Sequence, residues 1–242
     1  MDKRNPILFS LLIALVALVI YVAASELVRV IAPGASPLAV GLAGGLVAAL
    51  AVVLTLNRLD WWAEAGLRGP YHKSALLWFV PLLIFALLPL AAGYRASASE
   101  SANAVFFAAA SAIWRVAAQG IILHALRRTG DWTSAIIAGL LFGVMHLDGL
   151  LAGDAAAALA NALPYALLGF AIAALKRRTG TIVPQALCYA LLVFTLIVSG
   201  VGTASPSPGD ILPSVLAAAL LAVYGAVALA AGRRPTLSAR KA

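Results

Sequence analysis

The chain has 242 residues, 63% of them hydrophobic and only 11% charged, with a mean hydropathy of +1.01 and a formal charge of +8. A soluble domain is roughly half apolar, so this excess cannot be hidden in one core, and the chain reads as an integral membrane protein. Strand-like alternation is absent, which excludes an outer-membrane barrel and leaves a helical bundle; the single cysteine, Cys188, excludes a disulfide framework and a cysteine zinc site.

Taken in order, Met1 to Pro6 is a short basic start, and Ile7 to about Ser25 is a first span. Its apolar run is longer than a signal-peptide core and more spans follow, so it reads as an uncleaved anchor. Leu38–Leu56 is the second span, with Gly41 and Gly45 at the spacing that lets helices approach closely. Asn57–Ser74 is a polar stretch whose Trp61, Trp62 and Tyr71 beside Arg58, Arg68 and Lys73 suit a segment at the lipid headgroups. Ala75–Gly93 is span three, with Pro81 and Pro89 as kinks.

Span four covers Ala102–Leu126, span five Trp132–Ala152, span six Ala155–Leu175 with Asn161 and Pro164 inside it, and span seven Thr181–Gly200. Gly202–Gly209 is a loop, Ile211–Ala231 is span eight, and Arg233–Ala242 is a basic tail. Each span has about the 20 residues a bilayer requires. The expectation is an all-α membrane protein, one eight-helix transmembrane domain over residues 1–242 with both termini cytoplasmic.

Charge bias supports that layout. It puts Lys3, Arg4, Arg58, Arg68, Lys73, Arg127, Arg128, Lys176, Arg177, Arg178, Arg233, Arg234, Arg240 and Lys241 on the cytoplasmic side, Arg29 and Arg95 opposite, and Arg115 in the membrane, which accounts for all 17 basic residues. The net charge is then a record of topology, and no nucleic-acid partner is expected. Membrane lipids are.

The polar residues inside the spans mark the candidate site. With a rise of about 1.5 Å per residue, Arg115 lies about 18 Å, His146 about 21 Å and Asn161 about 22 Å from the cytoplasmic ends of their spans, Tyr189 about 13 Å and Gln185 about 8 Å. An ionisable group at such depth is a site or an internal contact by default. Arg115 and Gln119, four apart, read as one helix face, as do Gln185 and Tyr189. Gly139 and Gly143 share the side of His146 and open it to a neighbouring backbone. Gln119, Asn161 and Gln185 also have a plainer reading as interhelical hydrogen-bond partners. Arg115 lacks an evident counter-charge, with Asp148 nearest in depth and Glu100 and Asp154 peripheral.

These residues resemble the CAAX-processing and bacteriocin-processing (CPBP) intramembrane proteases, whose pattern is Glu-Glu-x-x-x-Arg-Gly, then Phe-x-x-x-His, then a late His-x-x-x-Asn. Gln119-Gly-Ile-Ile-Leu-His-Ala-Leu-Arg-Arg128 looks like the tail of the first motif, Phe142-Gly-Val-Met-His146 matches the second, and Leu168–Gly180 is similar to the approach to the third. The likeness covers residues 114–193. Aligned without gaps, the two glutamates fall on Trp114 and Arg115, the motif arginine on Gln119, and the late histidine and asparagine on Tyr189 and Val193.

The resemblance implies an intramembrane endopeptidase fold in which glutamate and histidine activate water. Arginine cannot serve as that base, and a metal wants several His, Asp or Glu ligands, so no metal or other cofactor is expected. His146 is the one matched catalytic residue; Arg115, Gln119, Asn161, Gln185 and Tyr189 are candidate cavity residues. The expected function is a catalytically degenerate member acting as a scaffold, regulator or immunity-type pseudoprotease in a bacterial inner membrane, with a membrane protein or lipidated peptide as partner. The alternatives are a residual peptidase and an anionic lipid or carboxylate binder that uses Arg115.

Overall fold

A computed structural model describes residues 5–69, 73–152, 155–201 and 208–231. Lys3, Arg4, Tyr71, Asp154, residues 202–207 of the loop and residues 232–242 of the tail lie outside the described residues. Eight helical runs follow one another: α1 (Pro6–Ile31), α2 (Pro37–Leu59), α3 (Ala75–Ala92), α4 (Ala98–Arg128), α5 (Asp131–Val144), α6 (Ala155–Thr179), α7 (Val183–Ser199) and α8 (Pro208–Ala230). No strand occurs among the described residues. Six of the runs are long and apolar enough to cross a membrane, and α5 and α7 are shorter apolar helices. The protein is an all-α membrane bundle.

The starts are written locally. Asn5 and Ser36 accept the backbone N–H groups of Leu8 and Ala39 just ahead of Pro6 and Pro37, and Ser97 with Glu100 forms a capping box on α4. Pro81 and Pro89 divide α3 as expected: an α-helical stretch, Val80–Leu87, runs between 3-10 turns at Lys73–Phe79 and Leu88–Ala92.

Small residues set the helix spacings. A Cβ on Gly44 would lie 2.6 Å from the Tyr21 carbonyl of α1, and one on Gly45 would touch Ala110 of α4 at 3.4 Å. On α5, Cβ atoms at Gly139 and Gly143 would come within 2.9 Å of the Ala166 carbonyl and 2.7 Å of the Ala162 carbonyl. The α5 and α6 backbones therefore touch, as the glycine spacing anticipates. On its other side α6 packs on α8, where Gly225 faces Ala171.

The segments assigned to one side of the membrane by their charge do converge at one end of the bundle. Lys176 donates to the Glu64 carbonyl at 2.9 Å, Arg177 to Leu123 at 2.9 Å and Arg178 to Ala231 at 2.9 Å. At the opposite end, the Arg95 N–H bonds the Val198 carbonyl at 2.8 Å. The polar stretch after α2 does more than lie at headgroups: Ala65 is fully buried, facing Gly120, and Trp61 rests on His124 with ring centroids 4.4 Å apart.

Span five departs from expectation. Its α-helix stops at Val144 rather than running to Ala152, and a turn at Met145–His146 leads into a 3-10 turn at Leu147–Ala152. Its 14 residues span about 21 Å, short of a hydrocarbon core of about 30 Å. Irregular backbone at that depth is tolerated where protein covers it, and Met145 and His146 are both buried.

Candidate functional site

The backbone of α4 winds one residue wider over Ile113–Ala117, a π-helical turn. Such bulges add a residue to a helix and favour functional positions. The turn holds Trp114 and Arg115. Trp114 is fully buried and stacks on Tyr21 of α1, centroids 5.1 Å apart at 21°. The Arg115 guanidinium folds back over the Trp114 ring at 4.0 Å and lies 5.4 Å from the Tyr21 ring. The cation is thus held by aromatic faces, each such contact contributing about 0.5–2 kcal/mol.

Its counter-charge is Asp148. Nη2 of Arg115 stands 3.5 Å from Oδ2 of Asp148, the arginine side chain 5% and the aspartate side chain 31% exposed. A tight charge-assisted bond would be about 2.7–2.9 Å, so this ion pair is long. Arg115 Nε is buried with no hydrogen-bond partner among the described residues. The break after Val144 is what turns Asp148 inward from a segment that helical continuation would have directed elsewhere.

His146 explains that break. In a continuing helix its backbone N–H would bond the Phe142 carbonyl. Here the ring takes that carbonyl, Nδ1 to O 2.7 Å, and the backbone N–H moves to Gly143 at 2.9 Å. A carbonyl only accepts, so Nδ1 carries the hydrogen, and the neutral ring's Nε2 accepts the hydroxyl of Tyr189 at 2.9 Å. Tyr165 of α6 stacks on the imidazole with centroids 3.7 Å apart at 11°, and Phe142 meets Tyr189 edge-on at 5.5 Å. The Phe-x-x-x-His spacing thus closes a side-chain cap on a helix end inside the bundle.

Tyr21, Arg115, His146, Asp148, Tyr165 and Tyr189 form one cluster, with the guanidinium in electrostatic reach of the other five. The remaining candidates stand apart. Gln119 donates to the Gly169 carbonyl of α6 at 2.6 Å. Gln185 bonds back to Thr181 of its own segment at 2.9 Å. Asn161 is half-buried, one turn before Tyr165, and bonds no described residue. Tyr21 is the residue that sequence reading missed; a tyrosine midway along an apolar anchor was its only signal.

Chemically, the cluster offers a cation, three phenols, one imidazole with both nitrogens engaged, and one carboxylate held by the cation. Among the described residues no three His, Cys, Asp or Glu side chains come together. Such a donor set does not suit a divalent metal, and a general base would first have to release Tyr189 or Arg115.

The family described as Type II CAAX prenyl endopeptidase Rce1-like matches residues 104–195. No curated protein and no solved structure matches the chain. The match runs from α4 into α7 and contains every residue of the cluster except Tyr21; over that core the chain is similar to the Rce1-like family of type II CAAX prenyl endopeptidases.

Proposed function

We propose that this chain is a catalytically silent member of that family, a membrane-embedded pocket that engages a membrane protein or lipidated peptide without cutting it. The observation that carries the reading is the Arg115–Asp148 pair at the place where the family motif puts a catalytic acid. The one carboxylate in the cluster is spent on a guanidinium, and the imidazole lone pair is spent on Tyr189. Neither can take a proton from water as it stands. The charge bias further supports cytoplasmic termini.

The test is turnover. Purified protein in lipid, offered prenylated CAAX peptides and transmembrane peptides, is expected to release no product detectable by mass spectrometry. Cleavage that His146→Ala abolishes would overturn the reading in favour of a peptidase with a rebuilt site.

A further inference from the structure

We propose that Arg115 is the receptor for a carboxylate carried at the end of an apolar chain lying in the membrane, and that Asp148 occupies its place until one arrives. This names a ligand class for the pocket proposed above, and it rests on that reading for the pocket itself.

The argument begins with an under-served cation. A guanidinium presents its N–H groups as a rigid planar fork shaped for a bidentate carboxylate. Trp114 and Tyr21 hold the face of Arg115, which leaves the fork's edge to find its own acceptors. That edge reaches Asp148 through Nη2 at 3.5 Å and the Tyr21 hydroxyl, while Nε is buried with no hydrogen-bond partner among the described residues. A charge at this depth with an unfilled fork is costly unless something completes it.

Asp148 is suited to give way. It is 31% exposed on its side chain, against 5% for Arg115, so it forms the rim and the arginine the floor. It sits on a 3-10 turn, Leu147–Ala152, outside the α-helix that ends at Val144. That turn packs on α6, where Leu159 is 62% and Leu163 53% exposed, and Leu150 of the turn itself is 40% exposed. An apolar chain approaching laterally has matching surface to follow. At its end a carboxylate can bridge Nε and an Nη together, which Asp148 does not.

The experiment compares acids with their neutral partners. The full chain in phosphatidylcholine nanodiscs is titrated with oleic acid and methyl oleate, and with an apolar peptide bearing a free C-terminal carboxylate and its C-terminal amide. Ligand that binds the folded state raises Tm with concentration. Oleic acid, the free-acid peptide or both should raise Tm while the ester and amide do not. A response to oleic acid alone identifies a lipid source, and a response to the peptide alone identifies a peptide source. Asp148→Asn removes the internal competitor and should tighten acid binding on the order of tenfold, whereas Arg115→Gln should abolish it. Equal responses to acid and neutral partner, no response to either acid, or no gain in Asp148→Asn would overturn the proposal, and the last decides the matter even where Arg115→Gln fails to fold. Peptide cleavage in the same samples would instead sink the silent-pocket reading and leave carboxylate binding standing.

Discussion

Tyr189 donates its hydroxyl to Nε2 of His146 across 2.9 Å, so a single imidazole ties the broken end of α5 to the middle of α7. Both members are almost fully buried, at 7% and 2% exposure. A hydrogen bond in such surroundings matters less for what it adds than for what its absence exposes. In the ungapped alignment of the resemblance Tyr189 falls where the motif has histidine, and here that position supplies an O–H donor aimed at the His146 ring.

Tyr189→Phe is therefore expected to destabilise the protein by about 1–2 kcal/mol, since it leaves Nε2 buried without a donor while keeping the ring edge on Phe142. Equilibrium denaturation in mild detergent reads the loss. The same substitution in a His146→Ala background should cost close to nothing. Equal costs in both backgrounds would mean that the bond does not stabilise the fold.

The Arg115–Asp148 pair makes a second prediction because its members are unequally buried. Asp148→Leu strands a buried guanidinium and should lower stability by about 1–3 kcal/mol, less than the cost of breaking a fully buried pair because the aspartate is partly solvated. Replacing both residues by leucine should recover most of that loss. A double variant no more stable than Asp148→Leu would show that the aromatic faces of Trp114 and Tyr21 matter more than the ion pair.

Much of this fold is legible in the sequence because a bilayer demands long apolar runs, and each of the eight announces itself without help from its neighbours. The close approach of α5 to α6 is equally local, written in the four-residue spacing of Gly139 and Gly143. The site is less legible because its two decisive features depend on side chains from elsewhere. The π turn at Ile113–Ala117 holds Trp114 where Tyr21 of α1 stacks on it, and nothing in the local sequence marks the extra residue. The end of α5 depends on the His146 ring displacing its own N–H from Phe142, an exchange that an i,i+4 pair in a helix gives no sign of. That break brings Asp148 to Arg115. By contrast, Gln119 has the plain role of an interhelical bond, which its residue type favours in any membrane helix.

Contact between the α5 and α6 backbones gives a third prediction. Gly139→Ala would put a Cβ 2.8 Å from the Phe170 nitrogen and 2.9 Å from the Ala166 carbonyl, and backbone cannot yield as a side-chain tip can. A loss of about 1–3 kcal/mol is expected. Gly34→Ala, with nothing within 4 Å of the added carbon, should be neutral and serves as the control. Similar melting temperatures for the two variants would deny that α5 and α6 pack this closely.

The last prediction concerns the basic end of α6, where charge does more than set orientation. Lys176 donates to the Glu64 carbonyl, and the Ile182 N–H and Thr181 hydroxyl bond the Gly66 carbonyl at 3.0 and 3.3 Å. These bonds fasten the segment after α2 against the start of α7. Gly66 itself has φ +83°, and a Cβ there would stand 3.0 Å from both the Gly180 carbonyl and Lys176 Cε. Gly66→Ala thus combines an unfavourable backbone conformation with crowding, and a loss of at least about 1 kcal/mol follows. Lys176→Met keeps the apolar stem and removes only the donor. It should leave global stability within about 1 kcal/mol and act locally, speeding hydrogen exchange at the Ala65, Gly66 and Leu67 amides, whose acceptors are Trp61, Ala63 and Trp62. Unchanged exchange at those three amides would show that the lysine does not hold the segment. Faster exchange spread across every helix would instead mean that the bond supports the bundle as a whole.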